Sequence, residues 1–399
     1  MVSRRTVLLG STGALVGSMT GCTGAAVDCG ARSPSVASTA SSPPSTAASA
    51  TPSVSASPAP SPSSPPRATP SPDPTGRPEP TVTSTIADNV DVPWGIAFLR
   101  SGDALVSERN SARILRVARN GKATPLGTVS GVTAPDGLGE GGLLGIALAP
   151  GDEDTLFVYL TSDSDNRVVR LSIAGGKVGK PTAVLTDIPT STHHHGGRLL
   201  FDRTGALYVS TGDAEQSSLA QSKTSLAGKI LRIRADGRPA AGNPFGNRTW
   251  SYGHRNIEGL AFDAQGRLWA TEFGDKAADE LNLITKGGNY GWPRVEGKSD
   301  SPRDVSPKTT WSPTSTCSPA GLAIVRSTAF VGALRGQCLF AVPLDGTDTG
   351  EPKKYFAGDY GRIRNVVVAP DGALWMTTSN TDGRVAPGKS DDKILRVTL

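Results

Sequence analysis

Residues 259–284 contain three short apolar runs, Gly259-Leu-Ala-Phe262, Arg267-Leu-Trp-Ala-Thr271 and Leu281-Asn-Leu-Ile284, which are separated by turn-forming residues. Each run has the length of one β-strand. The same order of runs recurs in six sets, which begin at Gly95, Gly145, Gly197, Gly259, Gly321 and Asn365. A repeat of roughly 45–60 residues built from short strands is typical of a β-propeller. The sequence therefore predicts an all-β domain with six blades.

The first 21 residues have the pattern of an export signal. Ser3-Arg4-Arg5 precedes an apolar run from Val7 to Val16, which is too short to span a bilayer. Twin arginines before such a run indicate a Tat-type signal, and Met19-Thr-Gly-Cys22 resembles a bacterial lipobox. We expect cleavage before Cys22 and lipidation of its thiol, giving an extracytoplasmic protein anchored to the bacterial cell membrane. An ordinary signal peptide with an incidental cysteine is the alternative.

Residues 22–80 form a predicted linker between this anchor and the repeats. From about Ser33 to Pro80 the chain is almost entirely Ser, Pro, Ala and Thr, a composition that cannot bury an apolar core. We expect a disordered, partly polyproline stalk that reaches on the order of 100 Å at about 3.1 Å per residue. Residues 81–399 are numerous enough for one well-buried core and constitute the predicted propeller domain.

Charge and cysteine content constrain the partners of the chain. Its 41 basic and 36 acidic residues are dispersed, so the net charge of +5 does not form the basic stripe of a nucleic-acid-binding protein. Cys317 and Cys338 both fall in the fifth set. In an exported protein we expect a disulfide between them, which would stabilise the fold by roughly 3 kcal/mol. Two separate buried thiols are the alternative.

Unusual polar clusters occur at two positions of the repeat, before the first run and after the second. The first strand of a blade runs down the central channel and the second returns, so both positions emerge at one mouth. The clusters before first runs are Glu140, His193–Arg198, Tyr252–Asn256 and Arg362–Arg364, and those after second runs are Gly212-Asp213, Glu272–Asp275 and Leu334-Arg335. We expect these clusters to surround a single pit.

The residue types in the clusters predict the chemistry of that pit. Several arginines with one asparagine suit a planar, multiply charged anion, because guanidinium groups bind carboxylates bidentately and stay charged. Oxygen atoms at Gly274 and Asp275 suit a hard cation such as calcium. A histidine beside them is a natural proton acceptor near neutral pH.

These clusters resemble motifs of the soluble PQQ-dependent glucose dehydrogenase and aldose sugar dehydrogenase family, whose members are six-bladed propellers. The matching phrases span nearly the whole domain in order: Gly139-Glu-Gly-Gly-Leu-Leu-Gly145, His194-His-Gly-Gly-Arg198, Tyr252-Gly-His-Arg-Asn256, Asp279-Glu-Leu-Asn282, Gly287-Gly-Asn-Tyr-Gly-Trp-Pro293 and Gly361-Arg-Ile-Arg364.

The resemblance implies an enzyme that oxidises aldose sugars at the anomeric hydroxyl with PQQ and calcium. His194 would be the general base while a hydride passes to the quinone, and calcium would bind main-chain oxygens of Gly274 and Asp275. The electrons would then pass to an acceptor that the sequence does not identify. The membrane would be contacted only through the lipid anchor. The implied PQQ contacts are Arg255, Asn256, Arg362 and Arg364.

Three positions depart from the family pattern. Glu140 replaces the usual glutamine and places a negative charge near an anionic cofactor. Asp275 replaces a frequent proline and is expected to favour calcium binding. Leu334 replaces a lysine that contacts the quinone, which makes the adjacent Arg335 a candidate substitute. These differences bear on cofactor affinity and argue against assuming that glucose is the substrate.

Two other functions agree with a propeller. A cofactor-free scaffold or binding lipoprotein would retain the shell, and Glu140 and Leu334 are changes expected of a decaying cofactor site. A calcium-dependent lactone hydrolase would coordinate its metal with several acidic and asparagine side chains. Such a hydrolase needs no arginine cluster, so the arginines favour the quinone enzyme.

Individual residues also have alternative interpretations. His194 could be an inert surface residue or a metal ligand, although adjacent residues of an extended strand point to opposite faces and make a poor shared zinc site. Arg255 and Asn256 could brace neighbouring blades. Asp213, Asp263 and Asp371 are expected to shape turns.

Overall fold

The computed structural model describes residues 76–399, which contain six antiparallel sheets. The strands are β1 (Thr81–Ala87), β2 (Pro93–Phe98), β3 (Ala104–Glu108), β4 (Arg113–Val117), β5 (Ala123–Thr128), β6 (Leu143–Leu148), β7 (Thr155–Thr161), β8 (Asn166–Ser172), β9 (Thr182–Ile188), β10 (Gly196–Phe201), β11 (Leu207–Thr211), β12 (Lys229–Ile233), β13 (Thr249–Tyr252), β14 (Ile257–Phe262), β15 (Leu268–Glu272), β16 (Asp279–Ile284), β17 (Thr309–Trp311), β18 (Pro319–Val325), β19 (Thr328–Ala333), β20 (Cys338–Asp345), β21 (Asp348–Thr349), β22 (Lys353–Tyr355), β23 (Ile363–Val368), β24 (Leu374–Thr378) and β25 (Ile394–Thr398). Three short 3-10 helices span Ala174–Gly176, Ser217–Gln221 and Thr314–Thr316.

Each sheet is one blade of a propeller. Blades 1 to 4 are β2–β5, β6–β9, β10–β13 and β14–β17, and blade 5 is β18–β22. In blade 6, β23–β25 are completed by β1, which pairs antiparallel with β25 and so closes the ring. The predicted runs fall on the first, second and third strands of the six blades. The six-bladed all-β fold is therefore confirmed.

The inner strands of neighbouring blades contact one another around the ring, in the order β2, β6, β10, β14, β18, β23 and back to β2. The glycine that begins a set allows this close approach. A Cβ atom added at Gly145 would lie 2.1 Å from the Gly197 carbonyl oxygen, and one added at Gly321 would lie 2.6 Å from Asn365 Cα. A larger side chain at either position would push adjacent blades apart.

The predicted disulfide is contradicted by the structure, in which Cys317 and Cys338 are free, buried thiols. Both pack in an apolar cluster that includes Trp311 and Ala333. Burial raises the pKa of both thiols, that of Cys338 to about 11, so they stay protonated and apolar. Spacing along the chain does not determine the orientation of the two Cβ atoms, on which disulfide formation depends.

The predicted signal peptide, Cys22 and residues 22–75 of the predicted linker lie outside the described residues. The last residues assigned to the linker contact the domain: Pro78 and Pro80 are buried, and the Glu79 carboxylate bonds to Lys353 Nζ at 2.7 Å and Tyr355 Oη at 2.8 Å. Within residues 76–399, no helix has the length and apolar character needed to cross a membrane.

Candidate active site

A cavity of about 390 Å³ lies where the inner strands begin, and we call it the mouth cavity. Its wall includes eight residues that the sequence predicted for the site: Glu140, His194, Arg255, Gly274, Asp275, Arg335, Arg362 and Arg364. The other lining residues are Leu138, His193, Phe273, Asp279, Thr314, Ser318, Leu334 and Arg384. Loops from five blades thus meet at one place, because strand order puts them all at the same end of the ring.

His194 is held at both its backbone and its ring. Its amide donates to Glu140 Oε2 at 3.0 Å, and its ring Nδ1 lies 2.7 Å from Asp213 Oδ1. Because a carboxylate can only accept, Nδ1 carries the proton in the neutral ring, in which Nε2 is then the acceptor. The residue is 17% exposed at its side chain, so the ring remains reachable. This is the arrangement that a general base requires.

The three consecutive histidines have separate surroundings. His193 Nδ1 lies 3.1 Å from Glu215 Oε1 at the rim. His195 is buried, and its Nδ1 lies 2.9 Å from Asn166 Oδ1 inside blade 2. The rings therefore contact different partners and do not converge on one point.

Asp213 does more than shape a turn. Its Oδ1 accepts the Glu215 amide at 2.9 Å, as a turn residue would, but its carboxylate also bonds to His194 and accepts Trp292 Nε1 at 2.8 Å. The sequence placed Asp213 at the mouth, directly after the second strand of blade 3, and that position was the signal for its contact with His194. Trp292 belongs to the Gly287–Pro293 motif, so this motif holds the Asp213 carboxylate that bonds to His194.

Arg362 and Arg364 are buried and fixed by carboxylates. Arg362 Nε donates to Asp382 Oδ2 at 3.0 Å, and Arg364 pairs with Glu258 and lies 3.6 Å from the same Asp382 oxygen. Burial opposes ionisation of Asp382, but the neighbouring arginines outweigh burial and lower its pKa. Arg362 immediately precedes β23 and Arg364 is its second residue, so the two guanidinium groups are held together in the cavity wall.

Arg384 is a lining residue that the sequence did not reveal. Its Nη2 donates to the Leu138 carbonyl at 2.6 Å and to Glu140 Oε1 at 3.2 Å. Burial raises the pKa of Glu140, but the His194 amide and Arg384 outweigh burial and lower it overall. The negative charge of Glu140, expected to disfavour an anionic cofactor, is thus paired with an arginine. Arg384 follows the second strand of blade 6, but several loop residues separate it from that strand.

Arg255 and Asn256 point in different directions. Arg255 packs on the Trp292 ring at 5.5 Å, and its Nη2 lies 3.3 Å from Asp275 Oδ1. Asn256 is fully buried and does not line the mouth cavity; its Oδ1 accepts the Gly196 amide at 2.9 Å. Asn256 therefore braces blade 3 from behind the wall, as its alternative interpretation expected.

Several buried donors around the cavity lack an acceptor among residues 76–399. They are Arg255 Nε, Asn256 Nδ2, Arg364 Nε and Arg384 Nη1. Leaving a buried donor without a partner costs about 1–3 kcal/mol, and more for a charged group. A cluster of such donors is suited to a ligand that carries several acceptor oxygens.

The charge of the wall favours an anion. Five arginines and three carboxylates, Glu140, Asp275 and Asp279, line the cavity. Burial raises the pKa of Asp279 to about 7, despite the amides of Ser318 and Gly274 that bond to it, so this carboxylate is partly neutral near physiological pH. Arginines therefore outnumber ionised carboxylates among the lining residues, although Asp382 and Glu258 behind the wall pair with two of these arginines.

Within residues 76–399, no three or more His, Cys, Asp and Glu side chains form a cluster that could hold a metal ion. A cation at this mouth would therefore use main-chain oxygens. Gly274 and Asp275, whose main-chain oxygens are the predicted ligands, both line the cavity, and the Asp275 carbonyl accepts Thr314 Oγ1 at 3.5 Å. The Asp275 carboxylate is engaged by Arg255 and by Lys276 Nζ, each at 3.3 Å.

Comparison with known proteins agrees with this geometry. The sequence model of the glucose/sorbosone dehydrogenase family matches residues 90–387. The PQQ-bound aldose sugar dehydrogenase of Streptomyces coelicolor is 43% identical with a TM-score of 0.78, covering 81% of this chain and 98% of that one. The aldose sugar dehydrogenase of Escherichia coli K12 is 28% identical over 340 residues, which are 75% of this chain and 90% of that protein. An uncharacterized Synechocystis protein is 33% identical over 353 residues, 75% of this chain and 84% of its own length. This chain belongs to the glucose/sorbosone dehydrogenase family of quinoprotein sugar dehydrogenases.

Proposed function

We propose that this enzyme oxidises the anomeric hydroxyl of an aldose, with PQQ bound in the mouth cavity and His194 as the general base. The observation that carries the proposal is the proximity of unpaired, buried guanidinium nitrogens to a histidine whose Nε2 is free to accept a proton. An anion site alone would need no base, and a base alone would need no arginines.

The donor set fits PQQ, which carries three carboxylates. Arg255, Arg362, Arg364 and Arg384 would hold these carboxylates and the quinone oxygens, and Arg335 stands free at the rim beside Leu334. Asn256 does not line the cavity, so we assign it the bracing of blade 3 and no direct contact with PQQ. When bound, PQQ supplies a two-electron acceptor for the hydride that leaves the anomeric carbon.

In the proposed reaction, the protein's own residues remove one proton from the sugar hydroxyl. Oxidation of the anomeric centre to a lactone removes a hydride from carbon and a proton from the hydroxyl, and His194 Nε2 would take that proton. Asp213 would stabilise the resulting imidazolium through the 2.7 Å contact with Nδ1. Glu140 would keep the His194 backbone in place, with its own charge balanced by Arg384.

Calcium is the cation that we propose for the Gly274–Asp275 loop. Main-chain carbonyl oxygens are hard ligands that suit calcium and do not suit softer metals. Bound calcium would supply positive charge next to the anionic cofactor. The lack of a side-chain cluster for metal among residues 76–399 disfavours the lactone-hydrolase alternative, which needs several acidic ligands.

A cofactor-free scaffold does not require the hydrogen bond between His194 and Asp213. The charge of Glu140, which the sequence suggested as a change expected of a decaying cofactor site, is paired with Arg384. The decisive test is titration of the purified protein with PQQ and calcium, followed by aldose-dependent dye reduction. We expect a saturable absorbance change, activity with at least one aldose, and loss of that activity in His194→Ala with PQQ binding retained. Absence of both absorbance change and activity at saturating PQQ would establish the scaffold function.

We also propose that the enzyme acts outside the cytoplasm, anchored through lipidated Cys22 and the part of the predicted linker that precedes Pro78. The support is the twin-arginine pattern, the lipobox-like Met19–Cys22 phrase and the Ser/Pro-rich composition. Fractionation of cells that produce the wild type or Cys22→Ala tests this proposal. We expect the wild type in the membrane fraction and the variant in the soluble exported fraction.

A further inference from the structure

We propose that Glu296 is the residue that positions the calcium loop, residues 274–278. This inference rests on the calcium site proposed above. The loop joins β15 to β16, and Glu296 reaches it from the connection between β16 and β17, three residues after the Gly287–Pro293 phrase.

A single carboxylate oxygen of Glu296 accepts hydrogen bonds from four consecutive backbone amides of the loop. Glu296 Oε1 accepts the amides of Asp275 at 2.7 Å, Lys276 at 2.9 Å, Ala277 at 2.7 Å and Ala278 at 3.0 Å. Glu296 Oε2 also accepts Lys276 at 3.2 Å. The remaining amide, that of Gly274, donates to Asp279 Oδ1 at 3.0 Å. Every amide of the loop is therefore bound by a carboxylate.

These bonds determine where the loop carbonyls point. In a trans peptide the N–H and C=O groups of one unit point in opposite directions. The Gly274 carbonyl shares its peptide unit with the Asp275 amide, and the Asp275 carbonyl shares its unit with the Lys276 amide; neither peptide is cis. Because both amides face Glu296, both carbonyls face away from it. Glu296 thus sets the direction of the two oxygens proposed as calcium ligands.

The close fit of the loop around Glu296 explains why residue 274 is glycine. A Cβ atom added there would lie 2.0 Å from the Ala278 carbonyl oxygen and 2.5 Å from Glu296 Oε1. Real Cβ atoms do not approach other atoms so closely, so any other residue would open the loop.

Electrostatics act in the same direction as the geometry. The peptide dipoles of the loop have their positive ends at the Glu296 carboxylate and their negative ends on the opposite side. A carboxylate behind the loop strengthens the partial negative charge that the carbonyls present to a cation. Removal of the charge should therefore weaken calcium binding even where the hydrogen bonds are kept.

The test measures the calcium requirement of PQQ binding. Calcium is titrated into chelator-treated full-length protein with PQQ present, and the absorbance of bound PQQ and the heat of binding are recorded. Glu296→Ala should need at least ten-fold more calcium than the wild type. Glu296→Gln keeps an oxygen that accepts amides but lacks the charge, so it should need an intermediate concentration and remain folded if the alanine variant does not.

Glu153→Gln is the matched control. Glu153 also accepts a loop amide, that of Arg100, but it lies in the turn between β6 and β7 at the end opposite the mouth. This variant should require the same calcium concentration as the wild type. A purely structural role for Glu296 would lower Tm in chelator and leave the calcium requirement unchanged, and that result would overturn the inference. PQQ binding without any calcium dependence in the wild type would also overturn it and leave the quinone function standing, whereas no PQQ binding at all would refute the proposed function.

Discussion

Nδ1 of His194 lies 2.7 Å from Oδ1 of Asp213, and the other oxygen of that carboxylate accepts the Trp292 indole at 2.8 Å. The contact fixes the tautomer in which Nε2 accepts a proton, and the indole holds the carboxylate in place. The catalytic competence of His194 should therefore depend on a residue that follows the second strand of the same blade.

Asp213→Asn should lower kcat by about 10²–10⁴-fold, because the amide can donate to Nδ1 and thereby favour the wrong tautomer. PQQ affinity should change little, since Asp213 does not line the mouth cavity. Steady-state kinetics and PQQ titration measure the two quantities separately. Glu215→Gln is the matched control, because Glu215 pairs in the same way with His193 at the rim. Equal losses in both variants would show that the His194 contact has no special role.

Arg384→Gln should weaken PQQ binding by about ten-fold or more, because it removes a charged donor with an unpaired buried nitrogen and leaves Glu140 without its partner. Adding Glu140→Gln should restore part of that affinity, since the uncompensated negative charge is then gone. Equilibrium titration of PQQ gives both values. Arg116→Gln, which breaks the exposed pair with Asp103, should bind PQQ like the wild type. An unchanged Kd in Arg384→Gln would remove Arg384 from the cofactor site.

Much of the fold was predictable because the inner three strands of each blade carry the buried residues. The strands missing from the prediction are the outer ones, such as β1 and β5, whose residues are mostly exposed or half-buried. An edge strand that contacts solvent has no continuous apolar run to mark it. Its pairing is determined by the neighbouring strand, and sequence periodicity cannot show this.

The site was predictable where a residue lies within three positions of the start of an inner strand. Glu140, Arg255 and Arg362 meet that condition and line the cavity. Asn256 also adjoins a strand, but neighbouring residues of an extended chain point to opposite sides, so it faces the wall when Arg255 faces the cavity. Arg384 is brought to the mouth by a loop whose path depends on tertiary contacts.

The cysteines provide a covalent test of the corrected disulfide prediction. Denaturation without reductant, alkylation and digestion should give Cys317 and Cys338 in separate, alkylated peptides, since both are free thiols. Added reductant should leave Tm unchanged. Mass spectra that contain the two peptides joined by a disulfide would restore the original expectation.

A buried carboxylate network beneath the calcium loop should make stability depend on pH. Burial and the nearby carboxylate of Glu272 raise the pKa of Glu280 to about 8, although hydrogen bonds from Asn282 and the Gly297 amide oppose that rise. Glu272 in turn bonds to His254 Nδ1 at 2.8 Å. Between about pH 4.5 and 8, Glu280 is protonated in the folded state and ionised in the unfolded state. The folded state therefore binds more protons, and the free energy of unfolding should fall as pH rises through this range.

Glu280→Gln should flatten the dependence of the free energy of unfolding on pH, because glutamine cannot ionise. Its side-chain oxygen can still accept the Gly297 amide, which donates to Glu280 Oε1 at 2.7 Å. Urea unfolding of the wild type and the variant at pH 5, 6.5 and 8 measures the effect. The variant should lose less stability between pH 5 and 8 than the wild type, whatever its absolute stability at pH 5. Glu351→Gln, at an exposed position, should keep the wild-type slope. If the Glu280→Gln slope matched that of the wild type, Glu280 would have to be ionised in the folded protein.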